Sequence, residues 1–143
     1  MQTSIPDEMV LFINSVKVAT VCCCEDNLPW CFNCYYAFRK EEGLLIFKSS
    51  SGTKHDSTLG KNRNVAGTII PEQIVLANIQ GIQFEGTLLN DSIEGSMKAA
   101  AAYYLAFPFA MAVPGKLYLI QLDNLKFTDN KRAFGYKSHW RRD

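Results

Sequence analysis

The sequence has no surplus of charge of either sign. Fifteen lysines and arginines face fourteen aspartates and glutamates, for a formal net charge of +1. A protein that grips nucleic acid through its phosphates carries a marked basic excess, so no nucleic-acid partner is expected. Histidine is scarce, with two in the chain, His55 and His139. They are remote from each other, and only Asp56 lies beside His55, so no metal site is expected. The same scarcity argues against a Ser–His–Asp triad, and no G-x-S-x-G elbow occurs. Long apolar runs are missing too. The longest uncharged stretch, Ala99 to Gly115, falls short of the roughly 20 residues that span a bilayer, and Pro108 interrupts it. The opening residues carry neither a basic segment nor an apolar core, so no secretory leader is expected. No repeat, low-complexity tract or linker stands out. These absences leave one domain over residues 1–143, expected to be cytoplasmic and away from membranes.

Apolar residues make up 48% of the chain, with nine Phe, six Tyr and two Trp. Such a chain is long enough to bury roughly two thirds of its unfolded surface. Ser4, Pro6 and Asp7 signal a helix start, and Ile5 to about Ser15 reads as a short helix. Val16–Glu25 and Pro29–Phe38 are strand-like, and Asp26-Asn27 between them is hairpin-turn chemistry. Leu44–Lys48, Val65–Ile70 and Gly81–Leu89 read as further strands. Between the first two of these, Thr53 and Asp56 have capping-box spacing, so a helix to about Leu59 is expected. Asp91 and Glu94 read as the cap of a helix to Phe107, with Ile93, Met97, Ala100, Tyr104 and Phe107 as its apolar stripe. Lys116–Leu122 is a sixth strand, and Phe127 with Phe134–Trp140 suggests a last pair. The result is a mostly β fold, an antiparallel barrel with helices outside it.

The strongest site signal is the run Phe47-Lys-Ser-Ser-Ser-Gly-Thr-Lys-His55. Three hydroxyl residues and a glycine follow a strand, and a helix then starts with Lys54 in its first turn. Helix N-termini offer unpaired N–H groups and partial positive charge, a setting for one phosphate. A polar turn before a capped helix accounts for the same residues. The Walker A spacing is absent.

Five cysteines are present. With the hairpin turn at Asp26-Asn27, Cys22 falls opposite Cys31. In a strand, Cys31 and Cys34 point to opposite faces, which does not suit a zinc knuckle. Small buried hydrophobes, a redox pair and a metal site remain the three readings. Lys131, Arg132, Lys137, Arg141 and Arg142 read as a solvated surface.

The run Phe47-Lys-Ser-Ser-Ser-Gly-Thr-Lys-His-x-x-x-Leu-x-x-Asn-x-x-Val65-Ala-Gly-Thr68 resembles the signature of the FMN-binding split-barrel superfamily, the group around pyridoxamine phosphate oxidase. Thr20, Asp26-Asn27-x-Pro29, Pro29-Trp-Cys-x-Asn33 with Tyr36, Gly81-Ile-Gln-Phe-Glu-Gly86, and Leu125-Lys-Phe-Thr-Asp-Asn130 with Phe134-Gly135 fit in order and spacing. They look like an uncharacterised bacterial branch. The resemblance implies a six-stranded antiparallel split barrel, a homodimer with FMN at the subunit interface, and an unknown small-molecule substrate if it is an oxidoreductase. It places the phosphate at Ser49, Ser51, Thr53 and Lys54, with His55 beside them, and the isoalloxazine along Asn33 and Tyr35. Lys137 and Trp140 are the residues a partner subunit would add. No catalytic residue is implied. Residues 44 to 60 hold no arginine, the nearest being Arg63, which departs from the oxidases' pattern and counts against pyridoxamine phosphate oxidase activity. A flavin- or haem-carrying module without enzymatic activity, and a cysteine-based redox or metal protein, are the alternatives.

Overall fold

The computed structural model describes residues 4–90 and 93–143. Helix α1 spans Asp7–Ser15, followed by β1 (Val18–Glu25), β2 (Leu28–Arg39) and β3 (Leu44–Ser49). Then come α2 (Lys54–Lys61), β4 (Asn64–Ile69), β5 (Gln80–Leu88), α3 (Ile93–Ala106), β6 (Lys116–Asp129) and β7 (Lys137–Arg141). The strands run in the order β3-β2-β1-β4-β5-β6-β7, and β3 also pairs with β6. Six strands therefore close a barrel, and β7 is added along the far half of β6. All pairings are antiparallel.

The β1–β2 turn is Asp26 and Asn27, both at positive φ (51° and 63°). Asn and Asp tolerate that region better than other side chains, and two such residues close a type I′ hairpin whose twist matches its strands.

Strand β6 is longer than the sequence suggests. The expected break after Leu122 is a bulge: Glu85 pairs with Asn124 and Gly86 with Leu122, leaving Asp123 unpaired opposite β5. A bulge bends a strand without ending it. Before the bend β6 pairs with β3; after it, with β7. Gly86 is required there, because a Cβ would lie 2.6 Å from the Gln121 carbonyl oxygen.

The barrel interior is filled from inward-facing strand positions, among them Val21, Leu45, Phe47, Ile82, Leu122 and Phe127. Helix α1 closes one end with Met9, Phe12 and Ile13, and the Tyr36 hydroxyl donates to the Ile13 carbonyl at 2.7 Å. Pro6 occupies the N-cap position of α1 with no side-chain cap, so Ser4 does not cap it. Helix α3 packs outside the barrel over Ala37, Leu44, Ile46 and Leu119. Strand β3 is covered on both faces, which is why Leu44-Leu-Ile-Phe47 shows no polar alternation.

The buried face of α3 is Ala99, Tyr103 and Phe107. The expected stripe holds at Phe107, whereas Ala99 and Tyr103 take the buried places expected of Ala100 and Tyr104, and Met97 is 68% exposed. Residues 99–106 are apolar almost all round, so period alone does not fix the face; close approach over the small Ala99 does. The Asp91–Glu94 cap lies outside the described side chains. Arg142 also departs from expectation. Its guanidinium donates to the carbonyls of Leu122, at 2.8 Å, and Glu42, at 2.9 Å, tying the β2–β3 turn to β6.

Candidate functional site

The site is built where β3 ends. Ser49 is the last strand residue, Ser50–Gly52 form an exposed turn, and α2 begins at Lys54. Thr53 is the N-cap, its Oγ1 accepting from the Asp56 backbone N–H at 3.1 Å. That cap satisfies one of the helix's free donors. Gly52 adopts φ +81°, and nothing lies within 4 Å of where a Cβ would stand. The left-handed backbone requires glycine, and the open space lets a ligand approach the main chain.

The aromatic side chains beneath α2 position it. Ring centroids are 4.0 Å apart between Phe32 and His55, 5.6 Å between Phe32 and Phe47, and 4.8 Å between Phe47 and Tyr118. The Tyr118 hydroxyl then donates to the carboxylate of Asp56, next to His55 in sequence. Ser49 Oγ and His55 Nε2 share a hydrogen bond of 2.6 Å. Burial lowers the His55 pKa, with Asp56 opposing, which favours neutral imidazole. Lys54 Nζ sits 4.0 Å from the Trp30 ring centroid, a cation–π contact that holds the ammonium near the helix start.

Asp56 shares this mouth. It accepts from the Gly52 N–H at 3.0 Å and pairs with Lys116 at 2.8 Å. Hydrogen bonds from Lys116, Tyr118 and Gly52 hold its carboxyl well below the usual carboxylate range. One N–H that an incoming anion would use is therefore engaged by the chain's own carboxylate. Burial and the bond to Asp56 push the Tyr118 phenol up.

The expected residues fall into three places. Ser49, Ser51, Thr53, Lys54 and His55 come together around the start of α2. Asn33 and Tyr35 lie on the other face of β2 from Trp30 and Phe32; Asn33 accepts from Thr20 Oγ1 at 2.8 Å, and Tyr35 meets Phe107 edge-on at 5.7 Å. Lys137 pairs with Thr128, whereas Ser49 pairs with Lys116 at the opposite end of β6. About 40 Å of strand separates the two rungs, at roughly 3.3 Å per residue. Trp140 is not at the surface: it is buried in the barrel core beneath Arg142, 6% exposed. Trp30, Phe32, Asp56, Lys116 and Tyr118 complete the site. Asp56 had a local signal in the capping spacing and Trp30 in the Pro29-Trp-Cys-x-Asn33 run; Tyr118 joins through its register with Phe47. Arg63 is occupied with the Leu88 carbonyl and the Asn90 side chain.

On the outer barrel face an open cleft of about 550 Å³ is lined by Thr20, Cys22, Cys31, Gln83, Lys126 and His139, with others. Cys23 and Cys34 are instead on the core face, as small apolar residues. Burial pushes the Cys34 thiol up to about 12.

No protein-family model matches the chain. The UPF0306 protein YhbP of Salmonella paratyphi A is 36% identical over 126 residues, covering 88% of this chain and 86% of that protein. Among solved structures, a haem binding protein from Mycobacterium smegmatis superposes with a TM-score of 0.80 at 13% identity, covering 97% of this chain. The chain spans 60% of that protein's length. A FAD-binding protein from Mesorhizobium loti gives 0.67 at 16% identity, covering 87% and 95% of the two chains. A Clostridium acetobutylicum protein of the pyridoxinephosphate oxidase family, related to general stress protein 26, gives 0.65 at 11% identity, covering 94% and 92%. These likenesses place the barrel among the split-barrel folds. Among the described residues no helix is long and apolar enough to cross a membrane.

Proposed function

The chain belongs to the UPF0306 family, and from that premise we propose that it is an FMN-binding split-barrel protein acting as an oxidoreductase on a small molecule. The observation that carries this reading is the turn at Ser49–Lys54. It combines hydroxyls, a sterically open Gly52 backbone, a helix N-terminus and a lysine held in place by Trp30. Those are the groups a single phosphate ester needs. Ser51, the backbone N–H groups at the start of α2 and Lys54 would hold the phosphate, with Ser49 fixed by His55. Asn33 and Tyr35, exposed on the face of β2 turned away from that turn, would lie along the flavin ring held at the partner subunit's turn in the proposed homodimer. Bound flavin supplies the redox chemistry; the chain supplies orientation and a cation. With Lys137 remote from the turn within one chain, the proposed homodimer is what would bring it near. We place the protein in the cytoplasm.

The absorbance spectrum of the purified protein tests this. Bands of an oxidised flavin, or their appearance as added FMN is taken up, are expected. A colourless protein that binds no FMN overturns the reading. A second reading, a haem-carrying module, is favoured by the 0.80 TM-score to the mycobacterial haem binding protein. A single intense Soret band would select it.

A further inference from the structure

The outer cleft holds two thiols that the site at α2 does not use. Cys22 and Cys31 are directly opposite on β1 and β2. The Tyr36 N–H donates to the Lys17 carbonyl at 3.0 Å, so rungs alternate from there with 22–31 in the non-hydrogen-bonded class. Pro29, which has no N–H, sits in that same class opposite Cys24. Such rungs bring Cα atoms to about 4.5 Å and side chains closest together. A disulfide needs Cα atoms about 4.4–6.8 Å apart. Both thiols line the open cleft.

We propose that Cys22 and Cys31 are a dithiol site that exchanges with low-molecular-weight disulfides in the outer cleft. The exposed Cys31 thiolate attacks one sulfur of the small disulfide, forming a mixed disulfide and releasing one thiol. The Cys22 thiolate then attacks Cys31 Sγ, closing the Cys22–Cys31 bond and releasing the second thiol. Two protein thiols are oxidised and one disulfide is reduced to two thiols, which carry away the two protons.

The other cysteines do not compete. Cys23 is buried and donates to the Trp30 carbonyl at 3.5 Å. Cys34 packs against the core. Cys24 follows Cys22 by two positions on one strand, which sets their Cβ atoms too far apart to bridge. Burial, then the interaction with Cys31, pushes the Cys22 thiol up, which lowers its thiolate fraction and leaves the first attack to the exposed Cys31. The proposal does not rest on flavin binding, and Cys31 shares the outer face of β2 with Asn33 and Tyr35.

The test incubates the reduced full-length protein with glutathione disulfide, alkylates it under native and then denaturing conditions, and reads intact mass and peptides. The expected result is loss of two of the five alkylatable thiols with a mass decrease of about two units, mapped to a Cys22–Cys31 bond. Cys31→Ser and Cys22→Ser should each abolish that species and leave a glutathione adduct on the surviving partner. Cys24→Ser should leave it intact. Circular dichroism of each variant confirms folding. Five alkylatable thiols after incubation, or a bond mapped to any other pair, overturns the proposal. So does a glutathione adduct that persists on the unsubstituted protein.

Discussion

The imidazole of His55 lies flat on the ring of Phe32, with centroids 4.0 Å apart and planes 14° apart. The contact fastens the first turn of α2 to the barrel wall, and it comes from residues 23 positions apart in sequence. The α2 site therefore depends on barrel packing as well as on its own loop.

That stack makes stability pH-dependent in a definite direction. Burial lowers the folded-state pKa of His55 below 6.5, so near that pH the unfolded chain binds more protons than the folded one. Stability then rises with pH through that window and is lost as pH falls toward the folded value. Urea midpoints between about pH 5 and pH 7.5 should show this slope, and His55→Phe should flatten it.

Lys54→Ala should weaken FMN binding by about 1.5–3 kcal/mol, the range for a hydrogen bond to a charged group. Riboflavin, which lacks the phosphate, should bind both proteins alike. Titration calorimetry with the two ligands separates a phosphate contact from a general loss of the pocket. Equal FMN affinities would mean that Lys54 does not meet the phosphate.

Asp56 works in two directions. Asp56→Asn should lower unfolding stability by about 1–2 kcal/mol, because the bonds to Lys116, Tyr118 and Gly52 lose their charge. The same change removes a carboxylate from the mouth of α2, so FMN should bind several-fold more tightly. The depressed carboxyl pKa of the unsubstituted protein adds stability above about pH 4 that is lost as pH falls. The variant should lack this acid-side loss in a denaturation series.

Trp140→Ala should cost about 3–5 kcal/mol of stability, as removal of a large core aromatic does. Phe134, 98% exposed six residues before it, should be replaceable by alanine within about 0.5 kcal/mol. Thermal melts of the two variants distinguish a core tryptophan from one kept free for a partner.

Much of the barrel was legible along the chain because its signals are local. Asp26-Asn27 sets a two-residue hairpin by its tolerance of positive φ, and that turn alone fixes Cys22 opposite Cys31. Hydroxyls, glycine and the Thr53 cap mark the start of α2 from neighbouring residues. The long-range choices were not legible. Whether β6 ends at Leu122 or bends there depends on which strands lie beside it, and that is decided by barrel closure between β3 and β6. The buried face of α3 is ambiguous in an all-round apolar helix, and only docking over β3 selects Ala99 and Tyr103. Trp140 reads as a surface residue among arginines until β7 pairs it with Leu125 and turns it inward. The sequence by itself determined the turns, the caps and the chemistry at the end of β3. Tertiary structure decided which carboxylate, tyrosine and aromatic rings surround that chemistry. The tyrosine, Lys116 and the rings sit on β2, β3 and β6, and only closure of the barrel brings them to Asp56 and His55 on α2.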